Sequence, residues 1–493
     1  MSSPLSVLAA VEEPGVASRV AILADGEAIR FDTLAARVRR VGVALAGAGA
    51  RPGARVGLVA HARVDSVVAL LAIAEIGAVA VPIHPRLTAP EADAIARDSA
   101  LDLRLRDHGT EAIEDLASAA CGCLGGPRPD DAFPRAIDPE APLAFVQTSG
   151  STGRAKAAVL SRRAFEASAA ASAARLGVRA DDRWLLAMPL AHVGGLSIVT
   201  RCLAARGTLV IVPRFDPTAV LAAIARDRVS LLSVVPTMLF ALLEEDRAGV
   251  LASLRAVLVG GAAAPRALLA ECARRRVPAL TTYGLTELCS QVTTQPPRDP
   301  GVSLDGSGVP LAGTTVRVVR PDGAAAGVGE VGRILAGGPT RLSGYWQGRG
   351  APLDQPFDAA GLLDTGDLGA VDDRGHLHVE GRRADLVVTG GENVSPAEVE
   401  RVLEACPGVR QALVFGVPDP RWGQVVACAI VPANPSSIDL GQIALDLRAC
   451  LAPHKRPRRG CVVEALPVAA RGKLDRAGAA DRLAGALRPW PDA

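Results

Sequence analysis

Short apolar runs alternate with longer Ala-rich stretches along the first 380 or so residues. The runs at 56–60, 143–148, 208–212, 231–235 and 256–259 read as strands. The stretches at 67–76, 163–176, 218–226 and 267–275 carry helical spacing. Near-continuous apolar strands separated by helices predict mainly parallel sheets covered on both faces. Residues 313–340 and 367–380 differ, with β-branched runs broken by Pro321-Asp-Gly323 and Asp373-Arg-Gly375. Turns of that kind predict an antiparallel β subdomain. The last stretch reads helix (396–405), strand (409–417), strand (425–431) and helix (440–451), a small α+β unit able to move as a body. The expected architecture is α/β, with a large N-terminal domain over 1–383 and a small mobile domain over 384–493. The boundary falls near Ala384.

Composition narrows this picture. The 493 residues are 49% apolar and 22% charged, enough for a large core without metal or disulfide. The net charge of +2 argues against a nucleic-acid partner, which requires a basic face. Nine scattered Cys, with only Cys121 and Cys123 close together, suit reduced thiols in a cytoplasmic protein better than a zinc site. The N-terminus has no basic segment and acquires Glu12 and Glu13 early, unlike a signal peptide. The longest apolar run, 66–83, contains Glu75, Gly77 and Pro82, so no membrane span is expected. Only three of the 54 basic residues are lysines: Lys156, Lys455 and Lys473. A compact ammonium differs from a planar guanidinium in what it can hold, so these three positions stand out. Codon bias would leave the same count.

Five segments carry candidate chemistry. Thr148-Ser-Gly-Ser-Thr-Gly-Arg-Ala-Lys156 follows an apolar strand and is expected to precede a helix. Its glycines let backbone N–H groups turn toward an anion. Ser149, Ser151 and Thr152 add donors, and Lys156 adds charge. The spacing is not that of a Walker loop. Thr282-Tyr-Gly-Leu-Thr-Glu287 places an aromatic ring, a hydroxyl and a carboxylate at a strand end, which suits a base, a phosphate and Mg²⁺. Asp364-Thr-Gly-Asp367 sets a carboxylate at a turn, where it can accept two hydroxyls. Arg382 with Gly390-Gly-Glu-Asn393, and Arg471-Gly-Lys473, complete the set. Each alone also fits an ordinary turn.

In this order and spacing the segments resemble the adenylate-forming superfamily of acyl-CoA synthetases, luciferases and peptide-synthetase adenylation domains. The resemblance spans essentially the whole chain. It implies ATP as substrate, Mg²⁺ as cofactor and CoA as co-substrate. It implies that Thr148, Ser149, Gly150, Ser151, Thr152, Gly153 and Lys156 hold the β- and γ-phosphates. Gly260, Gly261 and Ala262 would line the adenine and acyl pocket, with Gly284 beside the substrate. Tyr283 would stack on adenine, Thr286 would contact the α-phosphate and Glu287 would bind Mg²⁺. Asp367, helped by Arg382, would take the ribose hydroxyls. Lys473 would bridge the acid and the α-phosphate. Gly390 and Gly391 would face CoA after the small domain rotates. Lys455 falls in a matching segment of that domain. The chain departs from the pattern at Ala155, where Pro is usual, at Pro467, Val468 and Ala469, where Pro-Arg-Thr is usual, and at the hinge residue Ala384.

Substrate candidates come from Met188-Pro-Leu-Ala-His-Val-Gly-Gly-Leu-Ser197. His192 is a candidate pocket wall, or a packing residue at a loop-to-helix junction. Within the superfamily, residues 189–201, 233–239, 283–294 and 386–396 resemble the branch acting on o-succinylbenzoate in menaquinone biosynthesis. That acid carries a second carboxylate, for which Arg201 or Ser197 is the candidate partner, and a solvated Arg is the plainer reading. A ligase for aryl or medium-chain acids, and a stand-alone enzyme loading a carrier protein, remain open. So does homo-oligomerisation. The 20 residues after Lys473 leave no fused carrier domain expected.

Overall fold

The structure is a computed structural model. It describes residues 3–105, 132–148, 156–261, 264, 266–297, 306–382, 387–394, 396–433, 438–467 and 476–491. A large N-terminal domain and a smaller C-terminal one are built on four sheets.

The first sheet has nine strands in the order Val309–Pro310, Ser290–Thr294, Ala279–Leu285, Ala256–Val259, Leu231–Val234, Arg183–Leu186, Thr208–Ile211, Val20–Ala24 and Glu27–Arg30. Its centre is parallel, as expected, but the strands at both edges pair antiparallel. The second sheet is likewise parallel through Leu103–Arg104, Arg55–Val59, Val79–Ile83 and Pro142–Thr148, then antiparallel through Lys156–Ser161 and Gly344–Tyr345. Helices Phe31–Gly47, Val64–Glu75, Arg162–Leu176 and Val193–Ala205 contribute to one continuous core with both sheets. This explains why Val64–Glu75 is buried from Ser66 to Ala74 with no polar stripe, and why every residue of Val79–Ile83 is buried.

The expected β subdomain is present as the antiparallel sheet Thr315–Val319, Gly332–Gly337, Leu363–Val371 and Leu377–Arg382. Both turns read from the sequence close there, with Gly323 N–H donating to Arg320 O and Gly375 N–H to Asp372 O. In the small domain, Val409–Asp419 and Gly423–Pro432 form a long antiparallel pair. Both faces of this pair are covered. Ala412, Val414, Val426 and Cys428 pack with the helices Pro396–Ala405 and Leu440–Cys450, while Leu413, Phe415, Ala427 and Ala429 pack with Arg476–Leu483.

One expectation needs correction. The Ser/Gly-rich segment after Thr148 does not run into a helix. Lys156–Ser161 is a strand antiparallel to Pro142–Thr148, with Thr148 opposite Lys156, and the helix begins only at Arg162. The segment is therefore a hairpin connection, and no helix N-terminus backs it. The alternation of Ala157–Leu160 with its flanks was too short to separate a second strand from a helix start. Among the described residues no helix is long and apolar enough to cross a membrane. Of the seven described cysteines all are free, and six are buried. Cys121 and Cys123 lie outside the described residues.

Candidate functional site

The candidate segments around Tyr283, Glu287 and Asp367 come together where the first sheet meets the β subdomain. Tyr283 lies on the strand Ala279–Leu285, and its hydroxyl donates to Asp367 Oδ2 at 2.6 Å. Asp367 is almost fully buried and sits opposite Arg382 in the neighbouring strand. Three residues placed together by motif order, far apart in sequence, thus share one corner. Thr286 and Glu287 open a 3₁₀ turn directly after that strand. The Glu287 carboxylate accepts from the Tyr345 hydroxyl at 2.8 Å. Among the described residues no Lys or Arg pairs with it, which fits a carboxylate left for a cation.

Thr148 and Lys156 flank the candidate phosphate-binding segment, and the Thr148 hydroxyl donates to Lys156 O at 3.3 Å. The Lys156 ammonium lies 4.9 Å from the centre of the Tyr345 ring and 4.0 Å from Asp354 Oδ2. Ser149, Gly150, Ser151, Thr152 and Gly153 lie outside the described residues, as do Ala262, Lys473 and Ala384. Gly260 follows the strand Ala256–Val259, its N–H donating to Val234 O at 3.2 Å, and Gly261 comes next. Gly284 has a structural reason of its own. A Cβ there would stand 1.7 Å from Ser290 O, so only glycine lets the two strands approach.

Ser197 and Arg201 share one face of the helix Val193–Ala205 and are both buried. The Arg201 guanidinium donates to Ser290 Oγ at 3.3 Å and lies 5.5 Å from the centre of the Trp184 ring. Its Nε, Ser197 Oγ and Gln291 Oε1 are buried without a hydrogen-bond partner among the described residues. Burial lowers the Arg201 pKa to about 10, still far above neutrality. Cys202 and Cys289 lie near it, but burial pushes both thiols up to about 12, so neither supplies a counter-charge. Among the described residues no carboxylate pairs with this buried cation, an arrangement that is costly without an anion.

His192 precedes that helix, at the predicted loop-to-helix junction, but its imidazole faces the small domain. Nε2 stands 2.9 Å from Glu392 Oε2 and 3.2 Å from Oε1. His84 and His454 close the group, with ring centres 5.2 Å (His84 to His192) and 6.1 Å (His84 to His454) apart. Burial works against charge on His192, yet the Glu392 carboxylate outweighs it and raises the pKa. Burial would likewise raise Glu392, but His192 above all holds it far below the usual carboxylate range. Burial, then His192, lowers His84 to about 3, and burial lowers His454 to about 4. These two rings are therefore neutral. His84 Nδ1 accepts from Arg86 N–H at 3.1 Å, which leaves the proton on Nε2. In that tautomer Nε2 carries the proton and offers no lone pair to a metal, although His84, His192 and Glu392 lie close together, with Nε2 3.8 Å from Glu392 Oε1.

Two further contacts join the domains. Gly391, at φ +81°, turns the strand Glu392–Val394 against the large domain so closely that a Cβ would meet Val235 Cγ1 at 2.5 Å. Lys455 bonds Glu398 at 2.8 Å and reaches Glu91 at 3.3 Å. Glu91 also caps its own helix, accepting from Thr88 N–H at 2.9 Å. Sequence reading passed over Glu91, His84 and Tyr345, and met Glu392 and His454 only as members of the 390–393 and 451–455 segments, with no role of their own. Only the scarcity of tyrosine, two in the chain, could have singled one of them out.

The sequence pattern of the AMP-binding enzyme family matches residues 11–346, and that of the AMP-binding enzyme C-terminal domain matches 398–473. Feruloyl-CoA synthase of an Amycolatopsis species is 35% identical over 462 residues, covering 91% of this chain and 93% of the relative. 2-Succinylbenzoate–CoA ligase of Bacillus cereus is 33% identical over 459 residues, covering 93% and 94%. Among solved structures, o-succinylbenzoate CoA synthetase of Bacillus subtilis, a double mutant bound with its product analogue OSB-NCoA, superposes with a TM-score of 0.88 at 30% identity over 100% of both chains. The same enzyme in complex with the acyl-adenylate OSB-AMP gives 0.70 at 31% identity over 97% of each. The superposition is closer on the former complex than on the latter.

Proposed function

The chain belongs to the AMP-binding enzyme family, and on that premise we propose that it is an ATP-dependent, AMP-forming acid–CoA ligase whose acid is o-succinylbenzoate. The observation that carries the substrate is Arg201: a dicarboxylate brings the anion that this buried guanidinium lacks, and ferulate does not. Ser197 and Gln291 add unpartnered polar atoms on the same side.

The chemistry follows from the parts. A carboxylate is a poor acyl donor because its oxide leaving group is too basic. Its oxygen attacks the α-phosphorus of ATP, and the bond to pyrophosphate breaks. The CoA thiolate then attacks the acyl carbonyl and AMP departs. Catalysis of the first step is positioning and charge neutralisation. Tyr283, Asp367 and Arg382 hold the nucleoside, the loop from Thr148 to Lys156 with residues 149–153 holds the β- and γ-phosphates, and Thr286 meets the α-phosphate. Gly260, Gly261 and Gly284 leave room for adenine and the acyl group. Lys473 bridges the two reacting anions. Mg²⁺, held by Glu287, supplies further neutralisation of phosphate charge. For the second step we place the hinge at Ala384, between domains spanning 1–383 and 384–493, and the CoA side of the small domain at Gly390 and Gly391. The superposition on the OSB-NCoA complex supports reading the present arrangement as the thioester-forming one. Free thiols suit the cytoplasm, where we place the enzyme.

The test is pyrophosphate release with o-succinylbenzoate or ferulate, in wild type and in Arg201→Leu. We expect o-succinylbenzoate to be preferred. We expect the substitution to raise its KM about 100-fold, the loss of one buried charge-assisted contact, with little change for ferulate. Wild-type preference for ferulate would overturn the assignment.

A further inference from the structure

The chain has two tyrosines, and each donates its hydroxyl to a carboxylate of the nucleotide site: Tyr283 to Asp367 and Tyr345 to Glu287. The first belongs to the expected machinery. The second does not, and its surroundings are specific. Residues 342–346 run between the two halves of the phosphate site. On one side Ser343 N–H donates to Val159 O at 2.8 Å and Trp346 N–H to Ala157 O at 2.9 Å, on the strand that starts at Lys156. On the other, Leu342 N–H donates to Glu287 O at 2.7 Å. Tyr345 itself is fixed by a reciprocal pair with Asp354, N–H to O at 2.7 Å and 3.0 Å. From this anchored backbone the hydroxyl reaches Glu287 at 2.8 Å, while the ring face meets the Lys156 ammonium at 4.9 Å. Asp354 reaches the same ammonium from the other side at 4.0 Å.

We propose that Tyr345 is a positioning residue for adenylation: its hydroxyl orients the Glu287 carboxylate for a divalent cation, and its ring seats the Lys156 ammonium, so that metal and loop approach the same phosphates in fixed register. The proposal rests on the reading that Glu287 binds Mg²⁺. A carboxylate with one oxygen engaged by a fixed donor keeps the other aimed, and loss of such an orienting partner costs roughly 10–100-fold in metal affinity. A cation over an aromatic face is attracted by the ring without being neutralised by it, so the ring seats Lys156 and adds no counter-charge beyond that of Asp354.

The experiment measures Mn²⁺, as a spectroscopic stand-in for Mg²⁺, binding to the full chain with ATP by electron paramagnetic resonance. Tyr345→Phe, which keeps the ring, is expected to weaken Mn²⁺ roughly 10-fold with the melting midpoint and metal-free ATP affinity unchanged. Tyr345→Leu is expected to weaken metal-free ATP binding as well. In a Glu287→Gln background Tyr345→Phe is expected to have no further effect on Mn²⁺. Unchanged Mn²⁺ affinity in Tyr345→Phe, or an equal loss with and without Glu287, overturns the proposal. If Glu287→Gln binds Mn²⁺ like wild type, the magnesium reading falls as well. If Glu287→Gln alone weakens binding, only the tyrosine role falls. None of these outcomes depends on the acid.

Discussion

The nucleotide corner and the domain interface are held by different forces. At the corner, phenol hydroxyls donate to carboxylates within the large domain, over short distances fixed by neighbouring strands. At the interface, charges from two domains meet: His192 with Glu392, and Lys455 with Glu91. A neutral donor loses little when salt or pH changes. An ion pair between separable bodies loses its partner outright when one body turns. Under the proposed two-step reaction, a site that waits for its nucleotide is preset by hydrogen bonds, whereas a face that lets go between the steps is held by charge.

The corner should respond most strongly to substitution. Asp367→Ala removes the acceptor of Tyr283 and two prospective ribose contacts, so KM for ATP should rise more than about 100-fold in steady-state kinetics. A small change would show that the corner is not preset. The interface should respond selectively. Glu392→Gln leaves His192 without its charge partner, and single-turnover measurements should show thioester formation from preformed acyl-adenylate slowed about 10-fold with adenylation unaltered. Equal loss in both half-reactions would erase the distinction between the regions.

The smallest expected effect is a pH profile of the docked arrangement, read by small-angle scattering. His192 is raised by docking, so its contribution is full below the ordinary histidine value of 6.5 and is lost as pH rises through its raised pKa. His84 and His454 are lowered to about 3 and about 4, so docking weakens as pH falls below 6.5, when the undocked rings bind protons that the docked ones refuse. Glu392 stays ionised throughout this range, and Arg86 and Lys455 add fixed positive charge around the rings. Docking should therefore peak near pH 6.5. A flat profile, or one that His192→Asn leaves unaltered, would show that packing at Gly391 and Val235 dominates.

Much of the site was legible because its chemistry is written in contiguous runs. Thr282–Glu287 carries its ring, hydroxyl and carboxylate within six residues at a strand end and the turn after it, so the motif survives reading without a fold. The pairing of Tyr283 with Asp367 was only implied by motif order. Tyr345 was invisible: a two-residue strand has no period to detect, and its partner lies 58 positions away. The strand Lys156–Ser161 was missed because five apolar or small residues after a charged one fit a helix start equally well.

The chain by itself determined the alternation of strands and helices and the β subdomain turns, and it named candidate groups for phosphate, ribose and a cation, because these motifs depend on local spacing. Tertiary structure alone decided that Arg201 is buried without a counter-ion among the described residues, that three histidines gather round Glu392, and that Tyr345 spans Lys156 and Glu287. Burial and charge pairing are properties of neighbours in space, and residues 58 to 364 positions apart become neighbours only once the sheets and domains have packed.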